Sequence, residues 1–250
     1  MPVFATLFLK ALLVWVTLLV AGSLLRLCIN PRTMRKELAL RQSPMTAGLT
    51  GRELFKRINN EYGGIFCLDY TAEGYGKAVP TVGLSRLSFS LDMFRRSDYG
   101  TVYVPRACGS DRSLMAAALV SHEVGHLILL TRRFTVLFSV MLQRFIMSAS
   151  AVVSTLCVVG YATMLALGLG NMAWPFVAVA SLIAAAWVFI VVNEWKATTS
   201  GLAAARSAKA LTEEEAVSCK EIGRLWVLTY AYKLYIFTVP LLVMAIMGMH

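Results

Sequence analysis

The chain has 250 residues, of which 58% are hydrophobic and only 15% are charged, and its mean hydropathy is +0.65. This composition excludes an ordinary soluble domain and predicts an α-helical polytopic membrane protein with four transmembrane helices. The net charge of +10 would suit a nucleic-acid-binding protein, but no such motif is present, so no nucleic-acid partner is expected. Five cysteines without a C-x-x-C pair are expected to be free thiols.

The first predicted element is transmembrane helix 1, over residues 1–30. Its basic residues follow the apolar core instead of preceding it, and its length exceeds that of an ordinary signal-peptide core, so a cleaved signal peptide is not favoured. Asn30-Pro31 is expected to end the helix. Basic residues then follow at positions 26, 32, 35, 36 and 41, which predicts that this end of the helix faces the cytoplasm.

Residues 31–133 form a predicted cytoplasmic, zincin-like α+β region. Thr50 and Glu53 have the spacing of a capping box, and Gly63-Gly64 is expected to end the helix that they begin. Alternating residues within 81–92 and at 101–104 predict two strands. A pair of such strands could receive an extended peptide, or could form a hairpin that covers the next helix; the pattern fits both equally.

That next helix is predicted over 113–130 and carries the motif H-E-x-x-H. On a helix, His122 and His126 are one turn apart and share a face, so both imidazoles can bind one metal ion. Glu123 lies beside them and is well placed to accept a proton from water. The alternative is a pair of helix histidines with accidental spacing. This is less favoured because an unpaired polar cluster is costly in an apolar helix.

Three further segments complete the predicted organisation. Residues 134–193 supply transmembrane helices 2 and 3, residues 194–224 form a cytoplasmic helical segment, and residues 225–250 supply transmembrane helix 4. Of the 24 Lys and Arg residues, 22 fall within 26–144 and 194–224, and the other two lie inside predicted spans. This asymmetry predicts a multi-pass protein of the cell (inner) membrane, with both termini outside and H-E-x-x-H in the cytoplasm.

A catalytic zinc site needs a third protein ligand, and Glu194 is the favoured candidate. It lies on the predicted cytoplasmic side, at the end of a long apolar run where an unpaired carboxylate is costly. The alternative is an interfacial Glu paired with Lys196 or an Arg. Other carboxylates compete for the role, at positions 213–215 and 221, but they have the pattern of a solvated helix start.

Hydroxyl-bearing residues are candidates for supporting roles. Thr198 lies one turn beyond Glu194 and is suited to hydrogen-bond a metal ligand, although a helix-surface Thr would look the same in sequence. Tyr230, or Tyr232 in its place, lies near the start of the last predicted span and is a candidate for stabilising an oxyanion. Tyrosines are also common at membrane interfaces for other reasons.

Several stretches together resemble the YugP-like family of membrane-embedded neutral zinc metallopeptidases. They are T-A-G-L-T-G-R-E-L at 46–54, the Ala-rich approach to H-E-V-G-H, E-W-K-A-T at 194–198, L-T-E-E-E at 211–215 and L-T-Y-A-Y at 228–232. The resemblance implies gluzincin chemistry: Zn²⁺ bound by His122, His126 and Glu194, with Glu123 as the base. Leu127-Ile128-Leu129 and Lys196 depart from the family pattern, as does the longer region 66–100.

The expected function is therefore a membrane-embedded zinc endopeptidase that hydrolyses peptide bonds at the membrane–cytosol boundary. Its expected partners are protein or peptide substrates, including membrane proteins, and the lipid bilayer. One alternative is an HtpX-type membrane quality-control protease, although those proteins prefer an Asp where Thr198 stands. Another is a catalytically inactive membrane protein with a structural zinc site. A transporter has only Lys10 and Lys233, within predicted spans, in its favour.

Overall fold

The computed structural model describes residues 2–71, 101–132 and 174–247, together with most positions from 149 to 169. These residues are mostly helical, and the described positions from 149 to 164 are all helical. The elements with defined bounds are α1 (Pro2–Gln42), α2 (Gly51–Glu61), β1 (Cys67–Thr71), β2 (Thr101–Pro105), α3 (Arg106–Ser110), α4 (Leu114–Arg132), α5 (Trp174–Ser207) and α6 (Glu213–Met247).

The chain forms two compact units. The first comprises Met1–Pro31, Phe138–Val192 and Val227–His250, and the second comprises Arg32–Leu137 and Asn193–Trp226. Helices α1, α5 and α6 therefore each contribute one part to the first unit and the other part to the second. In the described part of the chain, one helix, α5, is long and apolar enough by length and composition to cross a membrane.

The first unit exposes large apolar side chains. Leu9, Leu13 and Leu27 are each 65% exposed, and Leu182 is 71% exposed. Inside this unit, α1 and α6 approach closely, because a Cβ atom on Gly22 would lie 2.9 Å from the ring of Tyr235. An apolar surface of this kind is typical of a protein region that contacts lipid or another protein.

The prediction that helix α1 ends at Asn30-Pro31 is wrong. The helix continues through Pro31 to Gln42. A proline inside a helix removes one backbone hydrogen bond, yet helices can continue past it when packing fixes the segments on both sides. The compact units do change at this position, between Pro31 and Arg32.

The second unit contains the predicted amphipathic helix, α2. Thr50 is its N-cap, and both halves of the capping box with Glu53 are formed, as predicted. Its apolar face is buried, with Leu54 and Ile58 fully inaccessible. Gly63 and Gly64 follow with φ values of +76° and +73°, so these glycines end the helix as expected.

The small sheet differs from the predicted pair of strands. β2 lies where expected, but it pairs in parallel with β1, from Cys67 opposite Thr101 to Thr71 opposite Pro105. The sequence predicted no strand at 67–71, so β1 is an addition to the predicted pair. The choice between a peptide-receiving edge and a hairpin stays a prediction, because it concerns β2 and the segment 81–92. The predicted strand within 81–92 lies outside the described residues.

Two long helices frame the rest of the second unit. α5 runs without a break from the apolar stretch, past Val192, to Ser207. A short connection follows, in which Lys209 has a φ of +53°, and α6 then begins at Glu213. A capping pair forms at this start: the Glu215 carboxylate accepts from the Thr212 amide, and the Thr212 hydroxyl accepts from the Glu215 amide.

Candidate metal centre

The H-E-x-x-H motif lies on α4 and is buried. His122 and His126 are each 8% exposed, and Glu123 is 5% exposed. The two imidazole rings are 4.8 Å apart between centroids and nearly perpendicular. Their Nε2 atoms are 3.3 Å apart, so both rings direct the same nitrogen towards one point. The one-turn spacing thus gives the shared face predicted from sequence.

Two glycines bring α5 against α4 at this motif. A Cβ atom on Gly125 would lie 1.9 Å from the carbonyl oxygen of Ala197, and one on Gly201 would lie 1.7 Å from the carbonyl oxygen of Ser121. Only hydrogen atoms fit at these two positions, so the helix backbones are in direct contact. This contact places the Glu194 turn of α5 beside the two histidines.

Glu194 completes a group of three possible ligands, together with His122 and His126. Its side chain is 1% exposed. Its Oε2 atom lies 3.3 Å from His122 Nε2 and 3.5 Å from His126 Nε2. The structure therefore places this carboxylate within 3.5 Å of both imidazoles, as predicted.

The three atoms fit a tetrahedral metal ion. With zinc–ligand bonds of about 2.0–2.1 Å and tetrahedral angles, two ligand atoms lie about 3.3–3.4 Å apart. The observed separations of 3.3, 3.3 and 3.5 Å agree with that value on all three sides. Two imidazoles and one carboxylate are also a ligand set typical of catalytic zinc, so the group can bind a metal ion.

Thr198 fixes the orientation of His122. The Thr198 hydroxyl donates to the carbonyl oxygen of Glu194, at 3.1 Å, and lies 2.9 Å from His122 Nδ1. Since its one hydrogen is used, the hydroxyl oxygen accepts a hydrogen bond from Nδ1–H. The neutral imidazole then carries its lone pair on Nε2, the atom that faces Glu194 and His126. This is the hydrogen bond predicted for Thr198, and its effect on a bound metal stays a prediction.

The pKa shifts follow from burial and from the close approach of these groups. Burial raises the pKa of Glu123 above its ordinary value, although the neighbouring histidines oppose the shift. Burial opposes protonation of His126, but the Glu194 carboxylate outweighs it and raises the His126 pKa. Burial also opposes ionisation of Glu194, yet the two histidines hold its pKa well below the ordinary value. Glu194 is therefore a carboxylate at neutral pH.

The competing carboxylates have other partners. Glu213 pairs with Arg206, and Glu221 pairs with Lys36. Glu215 is buried, and its carboxylate accepts hydrogen bonds from the backbone amides of Thr46 and Thr212. These contacts explain why none of the three belongs to the metal group.

The remaining predicted residues are not part of this group. Tyr230 belongs to the first compact unit, where the Lys233 ammonium lies 5.4 Å from its ring centroid, and its role in oxyanion stabilisation stays a prediction. All five cysteines are free thiols, as expected. Burial raises the pKa of the Cys219 thiol to about 12, which makes it a poor metal ligand.

Sequence reasoning missed four residues around the site. Gly125 and Gly201 set the helix crossing, and Gly223 of α6 approaches Thr198, because a Cβ atom there would lie 2.4 Å from Thr198 Cγ2. The Trp226 ring packs edge-on against the His122 ring, with 5.6 Å between the ring centroids. Its indole N–H donates a hydrogen bond to the Glu37 carboxylate. Glycines inside otherwise apolar helices were the available signal for the first three.

Comparison with known proteins yielded no relative: no family model, no curated protein and no solved structure matches the chain.

Proposed function

We propose that the protein is a membrane-embedded, zinc-dependent endopeptidase of the gluzincin type, related to the YugP-like family. His122, His126 and Glu194 would hold the zinc ion. Glu123 would act as general base, and the substrate would be a protein or peptide presented at the membrane–cytosol boundary. One observation carries this proposal: three ligand atoms of suitable chemistry lie 3.3–3.5 Å from one another inside a buried H-E-x-x-H helix crossing.

In this mechanism, zinc supplies Lewis-acid activation of a water molecule and polarisation of the scissile carbonyl. Glu123 accepts a proton from the attacking water and passes it to the leaving amine. Thr198 holds His122 in the tautomer that directs Nε2 inward.

The membrane part of the proposal comprises four transmembrane spans, a zincin-like cytoplasmic part and both termini outside the cytoplasm. It is supported by the distribution of Lys and Arg, by the apolar length of α5 and by the exposed leucines of α1. In this arrangement the apolar part of α5 ends at Val192, so Glu194 lies just beneath the bilayer. Active-site carboxylates at that depth would act on peptide segments close to the membrane surface.

The test is zinc content and proteolysis of the purified full-length protein. Casein and a membrane-protein substrate are incubated with wild type, with Glu123→Gln and with Glu214→Gln, which makes the same change at an exposed helix start. We expect Glu123→Gln to retain zinc and to lose about 10²–10⁴-fold in rate, because it cannot accept the proton. Glu214→Gln is expected to retain wild-type activity.

Equal cleavage by wild type and by zinc-loaded Glu123→Gln would contradict the role of Glu123. A wild-type protein that retains zinc and hydrolyses neither substrate would instead favour an inactive membrane protein with a structural zinc site. Cleavage restricted to unfolded membrane proteins would favour the HtpX-type quality-control alternative.

A further inference from the structure

A second feature, away from the metal ligands, is a cavity within the first compact unit. It has a volume of about 280 Å³ and is lined by residues of α1 and α6. Its polar lining residues are Arg26, Asn30, Thr229, Tyr232 and Lys233. Two isoleucines also line it, and none of the described residues in the lining is acidic. The cavity therefore combines two cations with three neutral side chains that can donate hydrogen bonds.

The two cations lie against aromatic rings. The Arg26 guanidinium is 5.8 Å from the centroid of the Tyr232 ring, and the Lys233 ammonium is 5.4 Å from that of Tyr230. An aromatic ring orients a cation without neutralising its charge. None of the ion pairs formed by the described residues involves Arg26. Its positive charge is therefore available to an anion that enters the cavity.

The donor set indicates which anion fits. Phosphate offers several acceptor oxygens, and a planar guanidinium with an added ammonium is the pairing that proteins use to bind it. The volume is at the lower end of the range for ligand pockets, which suits a headgroup and excludes an extended peptide. Arg26 lies near the end of predicted transmembrane helix 1, close to the depth of lipid phosphates in the proposed topology. Lys233 lies inside the predicted fourth span, and a lysine there can extend its ammonium towards the membrane surface.

We propose that this cavity binds the phosphate group of an anionic lipid headgroup. The phosphate would be held by Arg26 and Lys233, with Asn30, Thr229 and Tyr232 as further donors. A soluble phosphate compound offers the same chemistry and is the alternative source of the ligand. The binding chemistry does not depend on peptidase activity, whereas the assignment to lipid rests on the proposed membrane orientation.

The experiment measures lipid binding to delipidated full-length protein by native mass spectrometry. The probes are phosphatidylglycerol, phosphatidylcholine and inorganic phosphate. The variant Arg26→Gln/Lys233→Gln is compared with Arg32→Gln/Arg35→Gln, which removes the same charge from α1 outside the cavity. Arg26→Lys, which preserves the charge, provides a milder change if the double variant does not fold.

We expect phosphatidylglycerol to bind wild type more tightly than phosphatidylcholine, and the cavity variant to lose roughly tenfold or more in affinity. The Arg32/Arg35 variant should retain most of that affinity, and Arg26→Lys should lose part of it because it forms fewer directed hydrogen bonds. Displacement of the lipid by inorganic phosphate would support the site and assign it to a soluble ligand. Equal losses in both double variants, or equal binding of the two lipids, would overturn the proposal.

Discussion

Gly125 of α4 and Gly201 of α5 face each other across a helix crossing that admits no side chain. A Cβ atom on either glycine would lie within 2 Å of a carbonyl oxygen on the opposite helix and about 3 Å from the other glycine's amide nitrogen. Glu194 lies on the same helix as Gly201, and the two histidines flank Gly125. The position of the carboxylate on the imidazoles is therefore determined by this backbone contact.

Alanine at either glycine should separate the two helices. Because backbone atoms on a packed helix cannot move aside singly, we expect Gly125→Ala or Gly201→Ala to cost about 3 kcal/mol or more and to abolish zinc binding. Thermal unfolding and zinc content measure these two effects. Gly160→Ala is the control. Among the described residues, the nearest atom to its alanine Cβ would be a ring carbon of Phe176 at 3.5 Å, which is an ordinary contact. If the three variants unfold and bind zinc alike, the crossing does not determine the site.

The hydroxyl of Thr198 should matter more than its methyl group. Thr198→Val preserves the side-chain shape against Gly223 but removes the oxygen that accepts from His122 Nδ1. We expect a 10–100-fold loss of zinc affinity in this variant, as is typical when the partner of a metal-binding histidine is removed. Thr198→Ser retains the oxygen and should remain close to wild type. Competition with a zinc chelator measures both affinities, and the role assigned to Thr198 fails if Val and Ser bind zinc equally well.

Removal of zinc should reverse the pH dependence of stability. The folded-state pKa of His126 lies above its unfolded value of about 6.5, chiefly because Glu194 outweighs the effect of burial. In chelator-treated protein, this stabilisation is fully present below about pH 6.5 and is lost as the pH rises through the folded-state pKa. The raised pKa of Glu123 likewise makes the chelated protein less stable as the pH rises. Because the pKa of Glu194 is lowered, this carboxylate stays ionised over this pH range, and its contribution to the free energy of unfolding does not change.

We therefore expect the Tm of the chelated protein to decrease from pH 6 to pH 9. The Tm of the zinc-loaded protein should increase over the lower part of that range, because zinc and protons compete for the same imidazoles. Thermal scans at several pH values, with and without chelator, make the comparison. Parallel curves in the two conditions would show that the histidines do not bind the metal.

Glu215 should contribute to stability without contributing to catalysis. Its carboxylate accepts from the Thr46 and Thr212 amides, and these bonds hold its pKa below the ordinary value against the opposing effect of burial. We expect Glu215→Ala to destabilise the protein by about 1.5–3 kcal/mol, with zinc content preserved. Glu221→Ala, at an exposed ion pair, should cost about 1 kcal/mol or less. Denaturant unfolding distinguishes the two, and a loss of zinc in Glu215→Ala would contradict this separation of roles.

The sequence was most informative where a short-range rule applies. Thr50 with Glu53, and Thr212 with Glu215, form capping pairs because the spacing of a helix N-terminus decides them locally. The shared face of His122 and His126 follows from helix periodicity in the same way. Glu194 was predicted from the cost of a carboxylate beside an apolar run, which is also a local argument.

Long-range features were harder to predict. The parallel pairing of β1 with β2 joins segments about thirty residues apart, and no turn signal specifies it. The continuation of α1 through Pro31 runs against the local rule for proline, which disfavours but does not forbid a helix interior position. The glycine crossing depends on which two helices meet, and a single sequence does not show that.

The most direct measurement is the zinc affinity of the purified wild-type protein and of Glu194→Ala, determined by titration with a competing chelator. Three converging ligands predict about one tightly bound zinc ion per chain in wild type and a large loss of affinity when the carboxylate is removed, while Glu214→Ala binds as wild type does. Wild-type affinity in Glu194→Ala, or no zinc binding by the wild-type protein, would contradict the assignment of this group as a metal centre.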